Sequence, residues 1–153
     1  EELLISHTVY MVQVGQELEK SSEGQPIWFW WPAPLDPFKV YGATVGIIGR
    51  VKDEGIRRQI VSTYVVVGGL LHTWATHGRL LEEYSAAAGA HRRPKVDPLL
   101  VSLEAQSLEN KRSTLVAYSD QLRTHHREAS RRILGTVKAI DDYLAALPPR
   151  TAA

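Results

Sequence analysis

The sequence predicts an all-α protein, an antiparallel bundle of about four helices of which two are short and two are long. Three observations favour this fold. Apolar residues recur at alternating spacings of four and three in the middle of the chain, and a second set recurs every seven residues further on. Two Asp-Pro pairs, at 36–37 and 97–98, are typical helix starts, because aspartate caps a helix and proline suits its first position.

The composition fits one globular domain. The 153 residues match the usual allowance of about 150 per domain, and the 44% apolar and 23% charged fractions are average. We therefore expect residues 1–147 to form a single helical bundle and residues 148–153, which follow a double proline, to be a disordered tail. The net charge of +1 selects no class of partner, and the absence of cysteine excludes disulfides, thiolate metal sites and thiol nucleophiles.

The first half of the chain predicts the two short helices. Residues 3–19 place apolar side chains and one histidine on one helical face, although residues 8–14 also alternate as a strand would. A polar break at residues 20–25 and several prolines follow, and the second helix is expected over residues 37–51. The face of the first helix consists of Leu4, His7, Met11, Val14 and Leu18.

The first long helix is expected from Glu54 to about Ala88. Its apolar face comprises Ile60, Tyr64, Val67, Leu71, Trp74, Gly78 and Leu81. A strand-turn-strand element over residues 40–51 and 64–69 is the alternative, because both are rich in β-branched residues and glycine. If the helix is continuous, Gly68 and Gly69 each cost about 1 kcal/mol relative to alanine, so we expect them to have a packing role.

The second long helix is expected from Pro98 to the double proline. Its apolar face comprises Leu108, Leu115, Leu122, Ala129, Ile133, Val137, Ile140 and Leu144. A short connection makes the two long helices antiparallel. If Gly89 lies beside Asp97, then Arg57 is level with Glu128, and residues 135–147 either project into a partner or bend back at Gly135.

Residues 28–84 contain a series of packing motifs, namely Asp36-Pro37-Phe38, Val40-Tyr41, Gly46-Ile47-Ile48-Gly49, Ile60-Val61, Tyr64 and Leu80-Leu81-Glu82-Glu83-Tyr84. In these motifs the chain resembles uncharacterised bacterial membrane-anchored proteins, in which one amino-terminal span precedes a helical soluble part. The resemblance implies a span upstream of Glu1 and an unknown activity.

Catalytic and cofactor motifs are missing from the sequence. There is no Gly-x-Ser-x-Gly, no phosphate-binding loop and no Glu-x-x-His. His72 and His77 are five residues apart, which separates them around a helix, and the adjacent His125 and His126 also diverge. We therefore expect no metal and no cofactor, and we favour a non-catalytic protein while leaving the question of an enzyme open.

Three groups of residues are candidate sites. An aromatic patch either caps the bundle or contacts a partner or membrane, and it comprises Trp28, Phe29, Trp30, Trp31 and Phe38. A basic surface either faces anionic headgroups or is solvated beside acidic residues, and it comprises Arg57, Arg58, Arg123, Arg127, Arg131 and Arg132. A pocket between helices would be lined by Tyr64, His72, Trp74, His77 and Tyr118.

The leading functional hypothesis is a non-catalytic interaction or sensory domain of a membrane-associated bacterial protein, acting through helix packing or self-association. A small-molecule-binding bundle and a peripheral membrane-surface module are the alternatives. We expect a protein partner or a second copy, with an anionic membrane as a further partner, and a soluble domain on the cytoplasmic side. Nucleic acid is disfavoured, because no aromatics interleave the arginines and the net charge is near zero.

Overall fold

A computed structural model describes residues 14–28, 45–46, 48–92 and 97–147. These residues contain helices and no strand, so the predicted all-α class is confirmed. The alternative strand over residues 64–69 is wrong, because those residues lie inside a long helix. Four helices are not confirmed: the described residues hold three, and most of the second predicted helix, residues 37–51, lies outside them.

Helix α1 is described over residues 14–20, α2 spans Glu54–His91 and α3 spans Pro98–Ala145. Both long helices begin at a capping aspartate. The Asp53 carboxylate accepts a hydrogen bond from the Ile56 N–H at 3.0 Å, and the Asp97 carboxylate accepts one from the Leu99 N–H at 2.9 Å. Each bond satisfies a backbone donor that has no partner within the helix, which explains why the helices start there.

The long helices α2 and α3 pack antiparallel. The Thr63 and Thr136 hydroxyls are 2.7 Å apart, the Thr73 hydroxyl lies 2.8 Å from His125 Nδ1, and His91 Nδ1 lies 3.8 Å from the Glu104 carboxylate. Successive contact residues along α2 therefore meet residues of decreasing number on α3, as expected for two antiparallel helices. The two longest predicted helices and their pairing are therefore confirmed.

The register of this pair differs from the expected one by about 9 to 13 residues, or about 14 to 20 Å along the axis. His91 is level with Glu104, so the first residues of α3, 98–103, project beyond the end of α2. At the other end, a Cβ on Gly135 would lie 3.9 Å from Gln59 Nε2, and α3 continues through Gly135 without a break. The expected projection of residues 135–147 is wrong, because packing along the whole seam sets the register and the short connection does not.

The core lies between the two long helices and the amino-terminal segment. Its main cluster contains Val14, Leu18, Ile27, Leu70, Trp74, Leu122 and Ala129. The predicted positions Leu115, Leu122 and Ala129 are fully buried. The buried face of α2 is wider than the predicted heptad and includes Leu70 and His77, because α2 contacts both α1 and α3.

The amino-terminal segment runs antiparallel to α3. A Cβ on Gly15 would lie 3.0 Å from His126 Cε1, and further along the segment the Ile27 N–H donates to the Ser119 hydroxyl at 3.0 Å. The chain therefore passes along α3 from residue 126 towards residue 119, with α2 parallel on its other side. Among the described helices, none is long and apolar enough to cross a membrane.

Candidate functional site

Three buried polar side chains on α2 and α3, His77, Ser119 and Arg123, hold residues 21–28 against the hairpin, and we name them the polar cluster. The Ser119 hydroxyl donates to the Leu115 carbonyl at 2.7 Å and accepts from the Ile27 N–H at 3.0 Å. His77 Nε2 lies 3.2 Å from the same oxygen. Since Ile27 is in the core, this serine satisfies a backbone donor that would otherwise be buried without a partner.

The Arg123 guanidinium binds the same segment. Its Nε donates to the Ser21 hydroxyl at 3.0 Å, its Nη2 donates to the Gln25 carbonyl at 2.9 Å, and its Nη1 donates to the Asp120 carboxylate at 2.6 Å. The side chain is only 2% exposed, so the cation depends on these partners for its stability in the core.

Asp120 links the arginine to the turn at Gly24. Its carboxylate also accepts the Gly24 N–H at 3.2 Å. Gly24 has a φ of 73°, a left-handed conformation that favours glycine. Asp120, held by Arg123 of the polar cluster, therefore stabilises a tight turn beside the attachment point.

Burial keeps His77 neutral near pH 7. The pKa of its imidazole is lowered to about 4, first by desolvation and second by the positive charge of Arg123, while a hydrogen bond with the Ile27 backbone opposes both effects. A neutral ring beside a buried guanidinium avoids placing two cations in the core.

A serine next to a histidine raises the question of nucleophilic catalysis. Such a serine needs a base, a group that orients the base, and contact with substrate. Here Ser119 and His77 are both fully buried, and the hydroxyl already binds the Ile27 N–H and the Leu115 carbonyl. The arrangement supports the fold and does not form an accessible nucleophile.

The predicted pocket residues are divided between the core and the surface. Trp74 and His77 are buried in the core, whereas His72 is exposed on the outer side of α2. Tyr64 and Tyr118 are half-buried. Ser119 and Arg123, which do converge with His77, were not expected to do so, because nothing in their local sequence distinguishes them from surface residues on the flank of a helix.

The predicted basic surface is divided in the structure. Arg123 points into the core, and Arg57 and Arg58 lie near the carboxyl-terminal end of α3, because the register is shifted. Arg57 donates to the Val51 carbonyl at 3.4 Å, and Arg58 pairs with Glu54 at 2.5 Å.

The remaining arginines of this group have acidic neighbours. Arg127 pairs with Glu23 at 3.3 Å, and both Arg131 and Arg132 bind Glu128. Hydrogen bonds from Arg132 and then Arg131 lower the pKa of the Glu128 carboxyl. Because solvent and salt screen exposed ion pairs, these contacts contribute little to the stability of the fold.

The predicted aromatic patch is described only at Trp28, which is 55% exposed. Its ring packs on Tyr84 of α2, with centroids 5.3 Å apart and planes inclined by 54°. Phe29, Trp30, Trp31 and Phe38 lie outside the described residues.

The projecting start of α3 exposes four aliphatic side chains, Leu99, Leu100, Val101 and Leu103, which we name the leucine end. It lies beyond the level of His91, on the end of the hairpin towards which residues 21–28 run. The residues of α3 that project there, 98–103, include no charged side chain.

No group of three or more metal-ligating side chains is present among the described residues. Comparisons of the chain with protein-family models, with curated proteins and with solved structures find no match. The site must therefore be interpreted from its own geometry.

Proposed function

We propose that this protein is a non-catalytic helical interaction domain that self-associates by burying the leucine end against a second copy. The single observation that carries the proposal is the exposure of Leu99, Leu100, Val101 and Leu103 on a well-formed helix. The buried state of Ser119 and His77 supports the non-catalytic part, since the residues best suited to chemistry are engaged in the core.

The chemistry of the leucine end favours another apolar surface. Association removes exposed aliphatic area from water, and the free energy of association becomes more favourable by about 25 cal/mol for each Å² that is buried. Two copies related by a two-fold axis can place the same apolar patch on each side, so that no second type of surface is needed. A cluster of four aliphatic residues without a charge among them fits this self-complementary arrangement.

Light scattering during size-exclusion chromatography tests the proposal, with Leu99→Glu as the disrupting variant. Leu99 is 67% exposed and lies in the first turn of α3, where a carboxylate stabilises the helix. Val65→Glu is the matched control, because Val65 is 69% exposed on the outer face of α2.

We expect a dimer mass for the wild-type protein and for Val65→Glu, and a monomer mass for Leu99→Glu at the same concentration. A monomer mass for all three proteins would contradict the proposal. So would a dimer mass that Leu99→Glu leaves unchanged.

The second candidate is a peripheral membrane module. In this case the domain of a membrane-associated bacterial protein would bind the cytoplasmic surface of the membrane. It is favoured by the exposed ring of Trp28, because tryptophan commonly lies at membrane interfaces. The ion pairs of Arg131 and Arg132 with Glu128 weaken the electrostatic attraction such a contact would use. Sedimentation with vesicles containing phosphatidylserine at low salt, abolished by Trp28→Ala and by Leu99→Glu, would support this candidate in place of self-association.

A further inference from the structure

Residues 21–28, which we name the strap, are attached to the hairpin largely by polar contacts. The strap contains no helix or strand, and two of its eight residues, Pro26 and Ile27, are buried. Hydrogen bonds join it to Ser119, Asp120 and Arg123 of α3. A segment with few buried apolar contacts opens at a lower free energy than the core does. The polar cluster therefore controls whether the strap stays attached.

The two long helices have contacts of their own that do not involve the strap. The Thr63 and Thr136 hydroxyls are 2.7 Å apart, and the Thr73 hydroxyl lies 2.8 Å from His125 Nδ1. Both contacts join α2 to α3 directly. The pairing of α2 with α3 can therefore persist when the strap is released.

His77 makes the attachment of the strap sensitive to acid. Its ring is 2% exposed, it lies 3.2 Å from the Ser119 hydroxyl that binds the Ile27 N–H, and it hydrogen-bonds to the Ile27 backbone. Burial, and then the charge of Arg123, lower the pKa of this ring from 6.5 to about 4. Release of the strap admits water to the ring and returns its pKa towards 6.5. The released form therefore binds a proton more readily, and acid favours release.

The charged groups around the strap have partners of opposite charge. The ion pairs are Arg123 with Asp120 at 2.6 Å, Arg127 with Glu23 at 3.3 Å, and Lys20 of α1 with Glu17 at 2.6 Å. A second histidine on α3, His126, lies beside Gly15 of α1. Carboxylates have an ordinary pKa of about 4 and keep most of their charge at pH 5. Within the polar cluster, His77 is therefore the group whose charge can change between pH 7 and pH 5.

We propose that the strap is a conformational device that acid releases: protonation of His77 detaches residues 21–28 while α2 and α3 remain paired. Release opens the polar cluster between the two helices to water, including the Arg123 guanidinium, which is 2% exposed when the strap is in place. The proposal does not rest on self-association, because the strap contacts α3 at residues 119–127 and the leucine end comprises residues 99–103.

Amide hydrogen exchange of the full chain, followed by NMR at pH 7 and at pH 5, tests the proposal. The Ile27 amide is buried and hydrogen-bonded to Ser119, so it reports on the strap, whereas the amides of Leu70 and Leu122 report on α2 and α3. Protection is expressed relative to an unstructured peptide at the same pH. From pH 7 to pH 5, protection of the Ile27 amide should fall at least about tenfold. Protection of the Leu70 and Leu122 amides should change little.

Two variants identify the group that takes up the proton. His77→Gln removes the titrating ring, so the Ile27 amide should be equally protected at both pH values. The matched control His126→Gln should show the wild-type loss. Equal protection of the Ile27 amide at both pH values in the wild-type protein would overturn the proposal, and so would an equal loss at Leu70 and Leu122, which would mean that the whole fold opens. A loss in His77→Gln as large as in the wild-type protein would also overturn it.

Discussion

The His77 imidazole lies 3.2 Å from the Ser119 hydroxyl at the centre of the fold, joining α2 to α3. The same hydroxyl accepts the Ile27 N–H, so one serine connects three segments of the chain. Arg123, one turn later on α3, binds Ser21 and the Gln25 carbonyl. Residues 21–28 are therefore attached by directional bonds in addition to apolar packing.

Acidification should destabilise the fold through His77. The folded-state pKa is about 4 and the unfolded value is 6.5, so the unfolded chain takes up a proton first as the pH falls. The stability that depends on a neutral His77 is fully present above pH 6.5 and is lost as the pH falls from 6.5 to 4. The loss amounts to about 3 kcal/mol at most.

Urea denaturation at pH 7 and at pH 4.5 measures this effect. The free energy of unfolding should fall more steeply in the wild-type protein than in His77→Gln. The control His72→Gln, at an exposed position, should keep the wild-type slope. Equal slopes for all three proteins would show that His77 does not carry the pH dependence.

Removing the Arg123 guanidinium should destabilise the protein by about 2 to 4 kcal/mol, because the part-buried hydrogen bonds to Ser21 and the Gln25 carbonyl are lost together. Arg123→Met keeps most of the side-chain volume. Arg127→Met is the matched control, since Arg127 makes an exposed ion pair with Glu23 and should change stability by less than about 1 kcal/mol. Chemical denaturation measures both variants, and similar small losses would contradict a structural role for Arg123.

Gly69→Ala should stabilise the protein by about 1 kcal/mol. Gly69 is in the middle of α2, and no atom lies within 4 Å of a Cβ built on it, so alanine adds helix propensity without a clash.

Gly24→Ala should destabilise the protein by about 1 kcal/mol or more, because Gly24 has a φ of 73°, a left-handed conformation that alanine rarely adopts. Thermal denaturation compares the two variants directly. A loss of stability in Gly69→Ala would indicate a packing role that the structure does not show.

Leu122→Ala should destabilise the protein by about 2 to 5 kcal/mol, because Leu122 is fully buried in the main cluster. Leu134→Ala is the control at an exposed position on the same helix and should change stability by less than about 0.5 kcal/mol. Denaturant titration of both variants tests the buried face of α3, and equal losses would show that it is wrongly assigned.

The helices could be predicted from local signals, because caps and periodicity act within one or two turns. Asp97-Pro98 predicted the start of α3, and the seven-residue spacing of Leu115, Leu122 and Ala129 predicted its buried face. The register could not be predicted, because it depends on how side chains of two helices fit along the whole seam.

The polar cluster was missed for a related reason. Arg123 lies in a stripe with Arg127 and Arg131 that is typical of a solvated face, and only the position of residues 21–25 buries its guanidinium. The packing role expected for Gly69 is not seen, since the space around its Cα is open. Whether Arg123 is buried and whether Gly69 is packed both depend on which distant parts of the chain lie against them.

The register of α2 against α3 is the central claim, since it creates the leucine end. The Thr63 and Thr136 hydroxyls are 2.7 Å apart, so Thr63→Cys with Thr136→Cys should form a disulfide within one chain under mild oxidation. Thr63→Cys with Thr124→Cys is the control pair and should stay reduced, because the register expected from the sequence would place Thr63 about level with residue 123. A disulfide in the second pair and none in the first would contradict the account.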